Sequence, residues 1–187
     1  MTVGVSSMRI VLLAVMVALL MSACARTATP TTPASPLQPL ASIREIMEAE
    51  TDPSADALWD SVQITVTTAG EDRHQPRTEE EWKAVRRNAL ILIESTNLLV
   101  MEGRHIVPAG FQPPTGEADP RILQQRLDSN RAAFNGFAQT LRGIGIKTLA
   151  AIDAKDTEQL FQLGGDIDEA CEACHLVFWY PSDLVKS

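Results

Sequence analysis

Two cysteines and a histidine fall close together near the end of the chain, as Cys171-Glu172-Ala173-Cys174-His175. On a helix, positions i, i+3 and i+4 lie on one face. That spacing aligns both thiols and the imidazole. The apolar stripe around them runs through Leu160, Leu163, Gly164, Ile167 and Phe178, so the sequence turns all three reactive side chains toward a core. Whatever this chain folds into must bury that helical face.

A C-x-x-C-H run has three chemical readings. A zinc site needs a fourth ligand, and only His74 and His105 remain, each in a different loop. A redox disulfide belongs at the start of a helix after a strand, where its thiol is activated; this motif lies deep in a final helix. Covalent haem attachment fits the spacing. Each thiol can add to one vinyl group, and the adjacent imidazole can rise to the iron as a proximal ligand. The sequence therefore predicts one covalently bound haem c on Cys171, Cys174 and His175. Aromatic residues make up only 5% of the 187 residues against 45% apolar overall. A macrocycle could supply the missing bulk, although low-aromatic helical proteins exist without one.

The rest of the chain reads as helices. The first covers about 40–68, with stripes at Ile43, Ile46, Met47 and at Leu58, Trp59, Val62. Asp52-Pro53 should kink or break it. Val62 to Val66 alternates like a short strand, but with no partner strand evident it is kept helical. The second covers about 79–101. Thr78 and Glu81 form a capping box, and Gly103 ends it. A Pro/Gly-rich loop follows over 102–119. Asp119-Pro120 opens the third helix, which continues to about 153. Gly136, Gly143 and Gly145 either admit a close neighbour or are simply tolerated. Asp156 caps the fourth helix, about 157–179. Four amphipathic helices with short-to-medium connections predict an all-α, antiparallel four-helix bundle. Trp59 and Trp82 read as core, Arg86-Arg87 as surface charge, and Glu79-Glu80-Glu81 as acids favouring a helix N-terminus.

The N-terminal segment reads as export. Arg9 precedes an apolar run from Ile10 to Leu20, then Ser22 and Ala23 lead to Cys24. That layout predicts a signal peptide over 1–23. A cysteine after small residues resembles a bacterial lipobox, which implies lipidation of Cys24; ordinary cleavage after Ala23 is the alternative. Ala25 in place of Asp implies the outer membrane. Residues 24–39 are Pro/Thr-rich and read as an extended tether, and 40–187 as the haem domain. The expected location is the bacterial periplasm, tethered through Cys24. Residues 1–23 hold one Arg and no acid, leaving 15 basic against 24 acidic residues, or −9. Such a surface argues against nucleic acid, which is held by Lys and Arg, and suits a basic redox partner protein. No nucleophile and general-base pair argues for an enzyme.

Four helices with C-x-x-C-H in the last resemble the class II c-type cytochromes, the cytochrome c′ family, over roughly 40–180. The resemblance implies His175 as proximal iron ligand, with Phe178 matching an aromatic three residues later. Trp179 stands where the family usually has Arg or Lys. In this family the opposite side of the iron is faced from the first helix. A methionine there implies six-coordinate iron and electron transfer, and Met47 is the candidate. An apolar residue there implies an open site that binds nitric oxide or carbon monoxide. Met47 as a mere core residue leaves that second reading standing. His74 and His105 are weaker distal candidates. The family's frequent dimers, through the first two helices, imply a homodimer as one arrangement.

Overall fold

The computed structural model describes residues 38–114 and 117–180. The signal peptide, most of the tether and Cys24 lie outside the described residues, as do the last seven positions. The described chain is mostly helical with one small two-stranded sheet.

Ser42 starts the first helical rod. Its hydroxyl takes the Glu45 N–H at 3.2 Å while the Glu45 carboxylate takes the Ser42 N–H at 2.8 Å, a reciprocal cap. The rod then comprises α1 (Ile43–Ile46), a π-helical turn (Met47–Thr51) and α2 (Asp52–Ser61). The expected break at Asp52-Pro53 is therefore a widened turn instead. A proline ring crowds the carbonyl four residues back. A turn closed over five residues, Asp52 N–H to the Met47 carbonyl, makes room and keeps the rod continuous.

The expected helix to about 68 is corrected: it ends at Ser61, and Val62 is extended. Gln63–Thr67 (β1) pairs antiparallel with Gly70–His74 (β2), Thr67 opposite Gly70 and Gln63 opposite His74. The described chain is thus not all-α. Thr68 and Ala69 make the turn between the strands, and Gly70, the first residue of β2, takes a φ of +127° that glycine adopts without steric cost.

Thr78 and Glu81 cap α3 (Glu79–Leu99) as the sequence predicts. The helix stops two residues early. Guanidinium groups take carbonyls at and just past its end: Arg104 binds Leu98 O at 2.7 Å, and Arg131 binds Met101 O at 2.6 Å. Arg104 also donates to the Ala41 carbonyl, which ties this end to the start of the first rod. The loop after α3 pins that start as well, with Ile43 N–H on His105 O at 2.8 Å and Arg44 N–H on Ile106 O at 3.0 Å.

The predicted third helix is two. Asn130, at φ −128°, separates α4 (Pro120–Ser129) from α5 (Arg131–Asp153). Asp119 caps α4, and Asp156 caps α6 (Thr157–Phe178). Lys155–Glu79 and Arg86–Asp153 ion pairs set the end of α5 beside the start of α3, while Arg131 reaches the end of α3. The two therefore run antiparallel. Gly145 permits this approach, because a Cβ there would lie 2.8 Å from Ile93 Cγ1; Gly136 and Gly143 face open space. The first rod meets α6 through Trp59, whose indole N–H binds Gly164 O at 2.9 Å. Trp82 is buried.

The interior divides into two apolar clusters. One gathers Leu58, Trp82, Val85, Leu92, Leu160 and Ile167. The other gathers Ile43, Ile46, Leu99, Leu127, Phe134 and Phe178. Burial of about six such side chains per cluster, at roughly 1.5–3 kcal/mol each, is the main force holding the helices together.

Candidate functional site

Cys171 packs on the first cluster and Cys174 on the second. One helical turn thus places the two thiols across the seam between the cores. A small, wholly apolar cavity of about 30 Å³ lies at that seam. Its walls include both cysteines, Met47 from the π turn, Leu99 from α3, and Phe134 and Phe137 from α5. Met47 is half-buried against the second cluster. Phe134 and Phe137 stack edge-on against Phe178, at 5.4 and 6.1 Å between ring centres.

Burial pushes the Cys171 thiol up to about 11, with the charges of Asp52 and Asp168 adding to it. Burial likewise pushes Cys174 up to about 12, reinforced by Cys171. Both thiols are therefore neutral at physiological pH. Reactive redox cysteines and thiolate metal ligands show the opposite shift. No group of three His, Cys, Asp or Glu that could hold a metal ion occurs among the described residues.

His175 is half-buried and is not part of the cavity wall. Its ring stands 5.6 Å from that of Tyr180, tilted by 53°. The Tyr180 hydroxyl donates to the Glu172 carboxylate. That bond is the main reason the Tyr180 phenol is pushed up to about 12. Asp52 comes within electrostatic reach of His175 from α2. Partial burial raises the Asp52 carboxyl above its usual range, His175 opposes the rise, and Asp56 and Glu48 add to it.

The structure thus brings Met47, Cys171 and Cys174 to one cavity, with His175 on the same turn of α6 as the cysteines. It does not bring His74 or His105 there. His74 is exposed at the end of β2, and His105 is exposed in the loop after α3. Arg86 is paired with Asp153, as befits a surface charge. Trp179 lies under the Arg44 guanidinium at 5.4 Å, with Phe111 also beneath Arg44 at 4.5 Å. Sequence reasoning passed over Tyr180 and Asp52. Tyr180 follows the helix end, where periodicity carries no information, and Asp52 reads only as half of a breaker pair.

The donor set fits haem c chemically: two neutral thiols and an imidazole within one turn, a wholly apolar wall, and a thioether facing the thiols. The cavity is far smaller than a porphyrin, so side chains at the seam, Met47 and Phe137 among them, must yield space to one.

No protein-family model and no curated protein matches the chain. Among solved structures, it is similar to the nitric oxide complex of a point mutant of cytochrome c prime from Alcaligenes xylosoxidans. The two are 19% identical with a TM-score of 0.41, over 75% of this chain and 97% of that one.

Proposed function

We propose that this chain is a monohaem c-type cytochrome of class II layout that transfers electrons in the cell envelope. The carrying observation is the shared wall of the seam cavity, where Cys171, Cys174 and Met47 meet in apolar surroundings. In this reading the rods 43–61, 79–99, 120–153 and 157–178 form an antiparallel four-helix bundle.

Bound haem supplies an iron that cycles between ferric and ferrous. The residues supply the rest. Cys171 and Cys174 would hold the group through two thioether links, whose formation from thiol and vinyl involves no net redox change. Their neutral state suits an apolar wall. His175, one residue on, would hold the iron through an imidazole nitrogen. Met47, on the same cavity wall, would offer its thioether sulfur to the iron, and a thioether ligand would raise the reduction potential. The hydrocarbon side chains of Leu99, Phe134 and Phe137 exclude water. Helices fixed on both sides of the seam limit rearrangement between oxidation states. Cys24 serves as a lipid anchor in the periplasm, and the acidic surface receives a basic redox partner.

Covalent attachment tests this reading. After expression with a haem-maturation system, the wild-type chain should keep haem stain on a denaturing gel. The double variant Cys171→Ala, Cys174→Ala should lose it. Stain surviving in the variant, or absent from wild type, overturns the reading.

A further inference from the structure

We propose that Tyr180 is a positioning residue that straps the His175 imidazole and sets the plane of its ring. This rests on the reading of His175 as the iron ligand. The torsion that turns a histidine ring about its Cβ–Cγ bond is broad and roughly two-fold. The rotamer alone does not fix the ring plane, so a neighbour must. Ligating histidines are generally oriented by such outer contacts.

Three contacts converge from Tyr180 on this one turn of α6. Its N–H binds the His175 carbonyl at 3.0 Å, alongside the Trp179 N–H at 2.8 Å. The Trp179 bond is a regular helical one over four residues, whereas the Tyr180 bond spans five and widens the last turn, bringing Tyr180 back toward it. The Tyr180 hydroxyl then reaches back to the Glu172 carboxylate. Glu172 stands three residues before His175, hence on the same helix face. A side chain joining the end of α6 to Glu172 must pass His175, and the Tyr180 ring does so at 5.6 Å. Tyr180 is 38% exposed, so its burial adds little to the core. Its contacts instead concentrate on the Glu172–His175 pair.

The test uses the full chain carrying its covalent haem. Wild type, Tyr180→Ala, Tyr180→Phe and Glu172→Gln are compared by the hyperfine-shifted haem methyl signals of the ferric protein, whose order follows the axial ring plane, and by reduction potential. Tyr180→Ala should reorder the methyl signals and shift the potential. Tyr180→Phe keeps the ring and loses the hydroxyl anchor, so it should move both in the same direction by less. Glu172→Gln weakens the anchor from its other end and should resemble Tyr180→Phe; it also serves if Tyr180→Ala does not fold. Wild-type methyl order and potential in Tyr180→Ala, or in both other variants should it fail to fold, overturn the proposal. Absence of covalent haem from the wild-type protein would instead show failure of the underlying reading, and would remove the proposal with it.

Discussion

Met47 and Cys174 line the same apolar cavity, one from a π turn in the first rod and one from the last helix. If the thioether binds iron, Met47→Leu should convert a low-spin ferric spectrum to a high-spin one and remove the sulfur-to-iron band in the near infrared. The swap conserves volume, so stability should change by less than about 1.5 kcal/mol. An unchanged spectrum removes Met47 as a ligand. High-spin bands already present in wild type, shifting with carbon monoxide, would favour the gas-binding alternative.

The two thiols give a test on the haem-free chain. Burial holds Cys171 at about 11 and Cys174 at about 12. Only the thiolate alkylates readily. At pH 8 Cys171 and Cys174 should react with iodoacetamide more slowly in the folded than in the urea-unfolded chain, by a factor on the order of a hundred for Cys171 and a thousand for Cys174. The gap should narrow as pH rises toward the shifted values. Equal rates at pH 8 would show that the thiols are not held in the seam.

Three glycines in α5 should respond with opposite signs. Gly145→Ala puts a Cβ against Ile93 and should destabilise by about 1–3 kcal/mol. Gly136→Ala and Gly143→Ala meet nothing within 4 Å and should stabilise by roughly 1 kcal/mol each through helix propensity. Urea denaturation midpoints decide this.

The capping box at α3 should leave a pH signature. Backbone N–H groups of Arg77 and then Thr78 hold the Glu81 carboxyl below its usual range. A depressed folded pKa contributes stability above the unfolded value, about 4.3, and loses it as pH falls through the folded one. Glu81→Gln should therefore melt below wild type at neutral pH, with the difference closing in acid. A constant difference would place the effect elsewhere.

Much of this was legible from periodicity and caps. Thr78, Asp119 and Asp156 announce helix starts, because a side-chain acceptor ahead of an apolar stripe has few other uses. The thiols advertise their face by spacing alone. What escaped has physical reasons. The alternation over Val62 to Val66 marks β1, but β2 is exposed throughout, so its sequence carries no hydrophobic pattern to announce it as the partner strand. Asn130 interrupts a stripe that is apolar on both sides of it. The end of α3 is met by Arg104, six residues past Leu98, and by Arg131, whose guanidinium arrives from a distant position that no local window contains. His175 is not on the cavity wall because the stripe is broad, and a helical face does not specify which member touches which space.

The π turn over Met47–Thr51 has a further consequence for comparison between relatives. Such a turn stores one residue more than an α turn over the same length of rod. Any chain that lacks Pro53 and runs regularly here would be a residue shorter between Ser42 and Trp59. An ungapped alignment anchored on Trp59 would then set Glu48, not Met47, opposite that chain's cavity-facing position. The single-residue slack is thus an insertion mark, and reading it in the right register decides whether the cavity-facing place of Met47 is recognised at all.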